Sequence, residues 1–207
     1  MTVSTGGADW RDGATAEQVE AVEHLYRNHR SLPYISPERE LAAWLEEVGV
    51  SSSKAVPKWT LEPVADIELY GGYLFEVTAG DIILLWHISF DTFTTQSWFP
   101  KYFEYTYGID AAFDLRILVE AGFVEVESAA DSLDLVTAPA LRKALKDAGV
   151  NGLSSAKKAD SMRLAREHLS PAQFEDVTPV RSYKLTTAGR TLLDAHPEVV
   201  AKHPKKG

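Results

Sequence analysis

Between positions 139 and 170 the chain carries seven basic residues, Arg142, Lys143, Lys146, Lys157, Lys158, Arg163 and Arg166. Only Asp147, Asp160 and Glu167 oppose them, so the stretch is +4 within a 207-residue chain of formal charge −9. Clustered lysines and arginines bind phosphate by displacing condensed counterions, which is the chemistry this stretch is equipped for. The other chemistries find less support. With no Cys, thiolate nucleophiles, thiolate zinc sites and disulfides are excluded. The six histidines, at 24, 29, 87, 168, 196 and 203, form neither an HExxH motif nor an i, i+4 pair. His87 lies in an apolar run and reads as a hydrogen-bonded core residue. Neither GxSxG, a Walker loop nor a dinucleotide fingerprint occurs. Carboxylates are plentiful in residues 1–133, but no spacing selects a metal site from them. No enzyme activity, cofactor or metal is expected.

The charge is segregated along the chain. Residues 1–133 hold 8 Lys and Arg against 22 Asp and Glu, net −14, and residues 134–207 hold 13 against 8, net +5. Such asymmetry is one mark of a nucleic-acid-facing end and is also common in proteins that bind none. Composition is ordinary for a soluble globular protein, at 45% apolar and 25% charged residues. The start, MTVSTGGADWRDGAT, has no basic or apolar signal region, and the apolar run IILLW (82–86) is too short to span a bilayer. A cytoplasmic protein that does not engage membranes is expected.

The elements that must position these residues follow from periodicity and capping. Residues 15–30 predict an amphipathic helix, with Val19, Val22, Leu25 and Tyr26 on one face. Residues 36–49 predict a second, with Ser36 as N-cap, Pro37 at the first helical position and Gly49 as its stop. Residues 51–59 read as a loop. The alternation in ADIELYGGYLFEV (65–77) predicts a hairpin with a primed turn at Gly71-Gly72. Thr78 and Asp81 form a capping box for a buried helix over IILLWHI. A helix over 99–109 and one capped by Asp110 follow, the latter with Ala111, Leu115 and Leu118 as its apolar stripe and Gly122 as its stop. A strand begins at Phe123. Far downstream, residues 181–196 predict a strand leading into a helix capped by Thr186 or Thr187.

The stretches LRILVEAGFVEVE and YKLTTAGRTLL together resemble winged-helix proteins of the multiple-antibiotic-resistance-regulator type. The resemblance covers 81–127 and 181–196. It implies that strands near 124–127 and 181–185 pair as a wing, with Glu125 and Glu127 close to Arg181 and Lys184. The implied recognition helix exposes Asp110, Asp114, Arg116 and Glu120. One arginine among three carboxylates is poor equipment for reading base edges, so this core is expected to be a scaffold.

Residues 136–169, which intervene where a wing normally has a turn, resemble the SAP domain, a helix–extended–helix DNA-binding motif. The resemblance runs through Thr137, Leu141, Leu145, Gly149, Ser155, Lys157-Lys158-Ala159-Asp160 and Met162. It departs at Ala156, where the family has Gly, and at Ser161, where a leucine is usual. Thr137 would cap the first helix, Pro139 sit in its first turn and Gly149 turn the chain out of it. The second helix would begin near Ser155, its N-terminus open to phosphate and flanked by Lys157 and Lys158.

The expected fold class is therefore mainly α with small β hairpins (α+β). Residues 1–56 form an N-terminal helical segment. A winged-helix-like core spans 57–133 and 172–200, with a SAP-like module at 134–171 and a basic tail at 201–207. The expected function is non-enzymatic, weak, low-specificity DNA binding through Arg142, Lys143, Lys146, Ser155, Lys157, Lys158 and Arg163. The whole resembles SAP-containing proteins of Gram-positive bacteria and their phages, which implies an association with DNA or mobile elements. Two other readings stand beside it. The module reads equally as a solvated helical pair whose charges keep it soluble. The acidic first two-thirds, with six aromatics between positions 98 and 107, reads as the contact surface of a protein–protein adaptor or phage structural component. Phe99, Phe103 and Tyr107 recur every four residues, as a core stripe does, and Lys101 alone supplies positive charge for base stacking there.

Overall fold

The computed structural model describes residues 10–203. In chain order the elements are α1 (Ala16–Leu25), α2 (Leu41–Val50), β1 (Ala65–Glu68), β2 (Leu74–Val77), α3 (Ala79–Ile88), α4 (Tyr102–Tyr105), α5 (Ala111–Glu120) and β3 (Val124–Val126). They continue with α6 (Ala138–Asp147), α7 (Lys158–His168), α8 (Pro171–Val177), β4 (Tyr183–Leu185), α9 (Thr187–Asp194) and α10 (Pro197–Lys202). The fold is mainly helical, with two antiparallel two-stranded sheets, β1–β2 and β3–β4. The chain divides into two compact units. One comprises residues up to 89, 98–124 and from 185 onward, and the other comprises 90–97 and 125–184. Residues 204–207, most of the expected basic tail, lie outside the described residues, and Ala201 and Lys202 belong to α10.

In the first unit α3 is the centre of the core. Thr78 and Asp81 form the expected capping box, and Ile82, Ile83, Leu84, Leu85 and Ile88 are all fully buried. Around it pack Phe75 and Val77 of β2 and Leu115 and Leu118 of α5. Asp110 caps α5 by accepting the N–H groups of Ala112 and Phe113, each at 3.2 Å, and Gly122 ends it at φ +77°. The aromatic stripe is core: Phe103 and Tyr107 are buried and Phe99 meets Phe103 edge-on at 6.5 Å.

Three helices are shorter than the sequence predicts, and of the helix expected over 99–109 only α4, Tyr102–Tyr105, forms. α1, boxed by Thr15 and Gln18, stops at Leu25, and Asn28 turns the chain at φ +75°. α2 begins at Leu41, so Ser36 and Pro37 do not start it, and Gly49 lies inside it. A turn closes there, the Arg39 N–H donating to the Ser36 carbonyl at 3.0 Å, but α2 does not continue from it. The Ser36 N–H donates to Glu104 Oε1 at 3.1 Å, and Arg39 reaches the same oxygen at 3.4 Å. The Arg39 guanidinium is also clamped between the rings of Trp44 and Tyr105, at 4.5 and 4.2 Å. The β1–β2 hairpin pairs Ala65 with Val77 through Glu68 with Leu74. Its loop is longer than the two-residue primed turn expected: the Leu69 N–H donates to the Tyr73 carbonyl at 2.7 Å across Tyr70, Gly71 and Gly72.

The expected wing strands are neighbours. The Thr186 N–H donates to the Phe123 carbonyl at 3.1 Å, and the Glu127 N–H to the Ser182 carbonyl at 2.9 Å, an antiparallel pattern. Lys184 lies close enough to Glu127 for their charges to interact, as expected, but its ion pair is to Asp91 at 2.9 Å, and Arg181 pairs with Glu175. Residues 90–97 therefore supply partners the wing sequence does not contain: Thr94 bridges Ser182, and the Tyr183 N–H donates to the Phe93 carbonyl at 2.9 Å. Thr186 caps α9, its side chain accepting the Gly189 N–H at 3.1 Å.

Gly189 is required by packing rather than by backbone conformation. A Cβ there would stand 2.0 Å from the Phe123 carbonyl oxygen, within the β3–α9 junction. Gly189→Ala should lower stability by about 1–3 kcal/mol or more, read from the midpoint of urea unfolding. An unchanged midpoint would show that α9 does not pack on Phe123 this closely.

Candidate nucleic-acid interface

The second unit is built on a helical pair with its own small core. Leu133, Val136, Leu141, Leu145, Leu153, Ala165 and Leu169 are buried together, with Met162, Phe174 and Val177 packed against them. The local reasons are those legible in the sequence. Thr137 caps α6 by accepting the Ala140 N–H at 3.4 Å, and Pro139 occupies the first turn. Leu141 and Leu145 recur one turn apart and are fully buried, and Gly149 leaves the helix at φ +86°.

The second helix begins later than the sequence suggests. α7 starts at Lys158, with Lys157 as its N-cap residue, and Ser155 lies in the preceding turn, exposed. Leu153 is the reason. It is pulled into the core, Gly152 turns the chain at φ +77°, and the Ala156 N–H closes a turn on the Leu153 carbonyl at 3.1 Å. Ser161, where a leucine was expected, takes the buried position on α7. Its hydroxyl is fully enclosed without a hydrogen-bond partner, while Met162 is only half-buried. α8 was missed entirely. Its signal was present as Ser170-Pro171-Ala172-Gln173, a capping box with Pro at the first position, and both reciprocal bonds form.

The basic residues divide into three kinds. Arg142 is half-buried and donates to the Ala156 carbonyl at 3.0 Å, pinning the connecting loop immediately before Lys157. Lys143 and Arg163 make exposed i, i+4 pairs with Asp147 and Glu167, at 2.9 and 2.8 Å. Such pairs are weak and readily exchange a carboxylate for a phosphate. The Lys143 ammonium is held above its usual pKa by the hydrogen bond it donates to Asp147, and so is fully charged at neutral pH. Lys158 is exposed and its ammonium donates to the Asp134 carbonyl. Lys146, Lys157 and Arg166 are exposed and make no ion pair or side-chain hydrogen bond among the described residues. No side chain caps the first turn of α7, and Asp160 sits in that same turn. The fold thus brings Arg142, Lys157 and Lys158 to one end of α7, while Ser155 stands one turn short of it.

Neither a protein-family model, a curated protein nor a solved structure matches this chain. Among the described residues no group of three or more His, Asp or Glu side chains is placed to hold a metal ion. No helix among them is long and apolar enough to cross a membrane.

α5 in the first unit does not present the surface expected of it. Asp114 is fully buried, leaving Arg116 and Glu120 exposed and Asp110 occupied as a cap. Asp114 faces the equally buried Asp81. Asp81 Oδ2 accepts the Thr78 N–H at 2.7 Å and its hydroxyl at 3.0 Å. Asp81 Oδ1 and both oxygens of Asp114 have no partner outside the pair. Burial pushes the Asp81 carboxyl up to about 6. Burial, then the charges of Asp81 and Asp110, raise Asp114 well above the carboxylate range. A proton retained on Asp114 and donated to Asp81 satisfies both groups.

The sign of the linkage follows. The folded state keeps protons that the unfolded carboxyls release near pH 4, so this pair costs stability as pH rises from about 4 and most above about 6. Asp114→Asn, which keeps the shape and a donor, should raise stability at pH 8 by ~1–3 kcal/mol. The gain should vanish toward pH 4 in thermal unfolding, and a gain independent of pH would refute the shared proton.

Proposed function

We propose that this chain is a non-enzymatic DNA-binding protein that contacts the phosphate backbone, weakly and with low specificity, through the α6–α7 pair, read as a SAP-like module. The observation that carries this reading is the N-terminal end of α7, which has no side-chain cap, is exposed, and is flanked by Lys157 and Lys158 with Arg142 tethered beside them. Open backbone N–H groups and a positive dipole end receive a phosphate oxygen directly, and the lysines add counterion release. Asp160 in the same turn offsets part of that charge, consistent with weak binding. Lys146 and Lys157 supply cations that have no ion pair to break, Lys143 and Arg163 exchange their i, i+4 partners, and Ser155 borders the site. The hydrogen bonds between 123–127 and 182–186 support reading the rest as a winged-helix-like scaffold that carries the module at its wing. The buried Asp114 and the lone exposed Arg116 support the view that α5 reads no bases.

Duplex binding should be in the micromolar range at low salt and fall linearly in log–log form with added salt. Lys146→Glu with Lys157→Glu should reduce affinity and flatten that slope by about two. Absence of binding at low ionic strength, with the far-ultraviolet dichroism intact, would exclude the reading.

A second reading, a protein–protein adaptor, is favoured by one observation. The β1–β2 hairpin holds Tyr70 98% exposed, with Tyr73 and Leu74 beside it, in the acidic part of the chain. Tyr70→Ser with Leu74→Ser would abolish capture of such a partner while leaving duplex binding unchanged. Loss of duplex binding in that variant would assign the hairpin to the DNA reading instead.

A further inference from the structure

The C-terminal end of α3 and the short helix α10 meet in a cluster of rings inside the first unit. The His203 imidazole, just after α10, shares a hydrogen bond between Nδ1 and the Tyr107 hydroxyl at 2.7 Å and stacks on the Tyr107 ring at 5.9 Å and 11°. The Tyr102 hydroxyl and Nε2 of His87 share another. The two imidazoles lie 6.3 Å apart, and Trp86 packs against both, at 5.5 Å from His87 and 5.3 Å from His203. Val199 anchors α10 as a buried side chain. We propose that this cluster is a proton-operated latch, in which protonation of His203 beside His87 releases α10 from α3.

The charges around the cluster all point the same way. On α10, Lys202 lies over the Trp59 ring at 4.7 Å and adds positive charge, while Glu198 pairs with His196 at 3.3 Å. On α4, Glu104 is committed to Arg39 and Ser36, and Tyr102 and Tyr107 are held neutral, their hydroxyl pKa values raised by burial. On α3, Asp81 lies at the opposite end, paired with Asp114 of α5 and not facing the imidazoles. Lys58, beside Trp59, and Arg190 and Asp194 of α9 form no ion pair with His203. Among the described residues, then, no carboxylate compensates an imidazolium at His203, and a second at His87 would repel it. Burial holds both imidazoles below their ordinary pKa, and the nearby His203 lowers that of His87 further. The neutral rings therefore stabilise the docked state at pH 7. That contribution is lost as pH falls below about 6.5, where the released imidazoles take up protons that the docked ones refuse.

The test is amide hydrogen exchange of the full chain at pH 7.5 and 5.0, corrected for intrinsic rates, with the His203 ring titrated by NMR in the same samples. Protection over 197–203 should fall about tenfold at pH 5.0 while α5 keeps its own. The loss should follow the His203 titration, with a midpoint below 6.5. His203→Gln retains an acceptor for Tyr107 and should remove the pH dependence. Equal protection of 197–203 at both pH values would overturn the latch. So would loss that includes α5, or a His203 midpoint above 6.5. If His203→Gln loses α10 at both pH values, the wild-type profile decides alone.

Discussion

α3 is buried along its length except at Trp86 and His87, and a helix so enclosed must settle both of its ends inside the protein. At the N-terminal end Asp81 does so by closing a capping box with Thr78. An acid used as a cap at a fully buried position needs its charge managed, and Asp114 manages it by keeping a proton. At the C-terminal end α10 folds across, and a His–Tyr cluster satisfies the polar atoms there. The two least ordinary titratable groups of the first unit therefore lie at the two ends of one helix. They respond to pH in opposite senses, the aspartate pair costing stability as pH rises and the imidazoles as it falls. The two costs overlap on the acid side of neutrality, and above it the aspartate pair alone weighs on α3.

The second unit solves the opposite problem. Its helices are short and strongly amphipathic, and their polar faces stay in water. Leucines one turn apart on α6 are covered by α7 and α8, and the loop between α6 and α7 is fixed by Leu153 from within and by Arg142 from outside. Every basic group of the α6–α7 pair that has a partner has a weak or backbone one. Its charge is therefore available at the surface rather than consumed by the fold. That contrast with Arg39, locked between two rings and a carboxylate, separates cations that build structure from cations that remain free to bind.

Patterns that close within a few residues were legible. Thr78 with Asp81, Asp110, Thr137 and Thr186 all cap as their spacing implies, because the donor and acceptor belong to one turn. Thr15 with Gln18 and Ser170 with Gln173 carry the same signal, which the sequence reading does not include. What misled was periodicity that a distant residue overrode. Ser36 and Pro37 close one turn, but α2 begins only at Leu41, and Arg39 between them is held by Glu104, 65 positions away. Asp114 sits on the polar face of its helix by spacing, yet it is buried opposite Asp81. Lys184 interacts with Glu127 as expected, but the ion pairs go to Asp91 and Glu175, because residues 90–97 join the strand pair from elsewhere in the chain.

By itself the sequence determined the capped helices, the β1–β2 hairpin, the charge segregation and the leucine stripe of the α6–α7 pair. Each depends on neighbours within one turn or on composition, which the chain carries without folding. The tertiary structure alone decided which polar groups are buried, which cations are free, and where α7 opens. Burial and electrostatic pairing are properties of the space between elements, set by residues such as Glu104, Asp81 and Leu153 that share no local pattern with the groups they constrain.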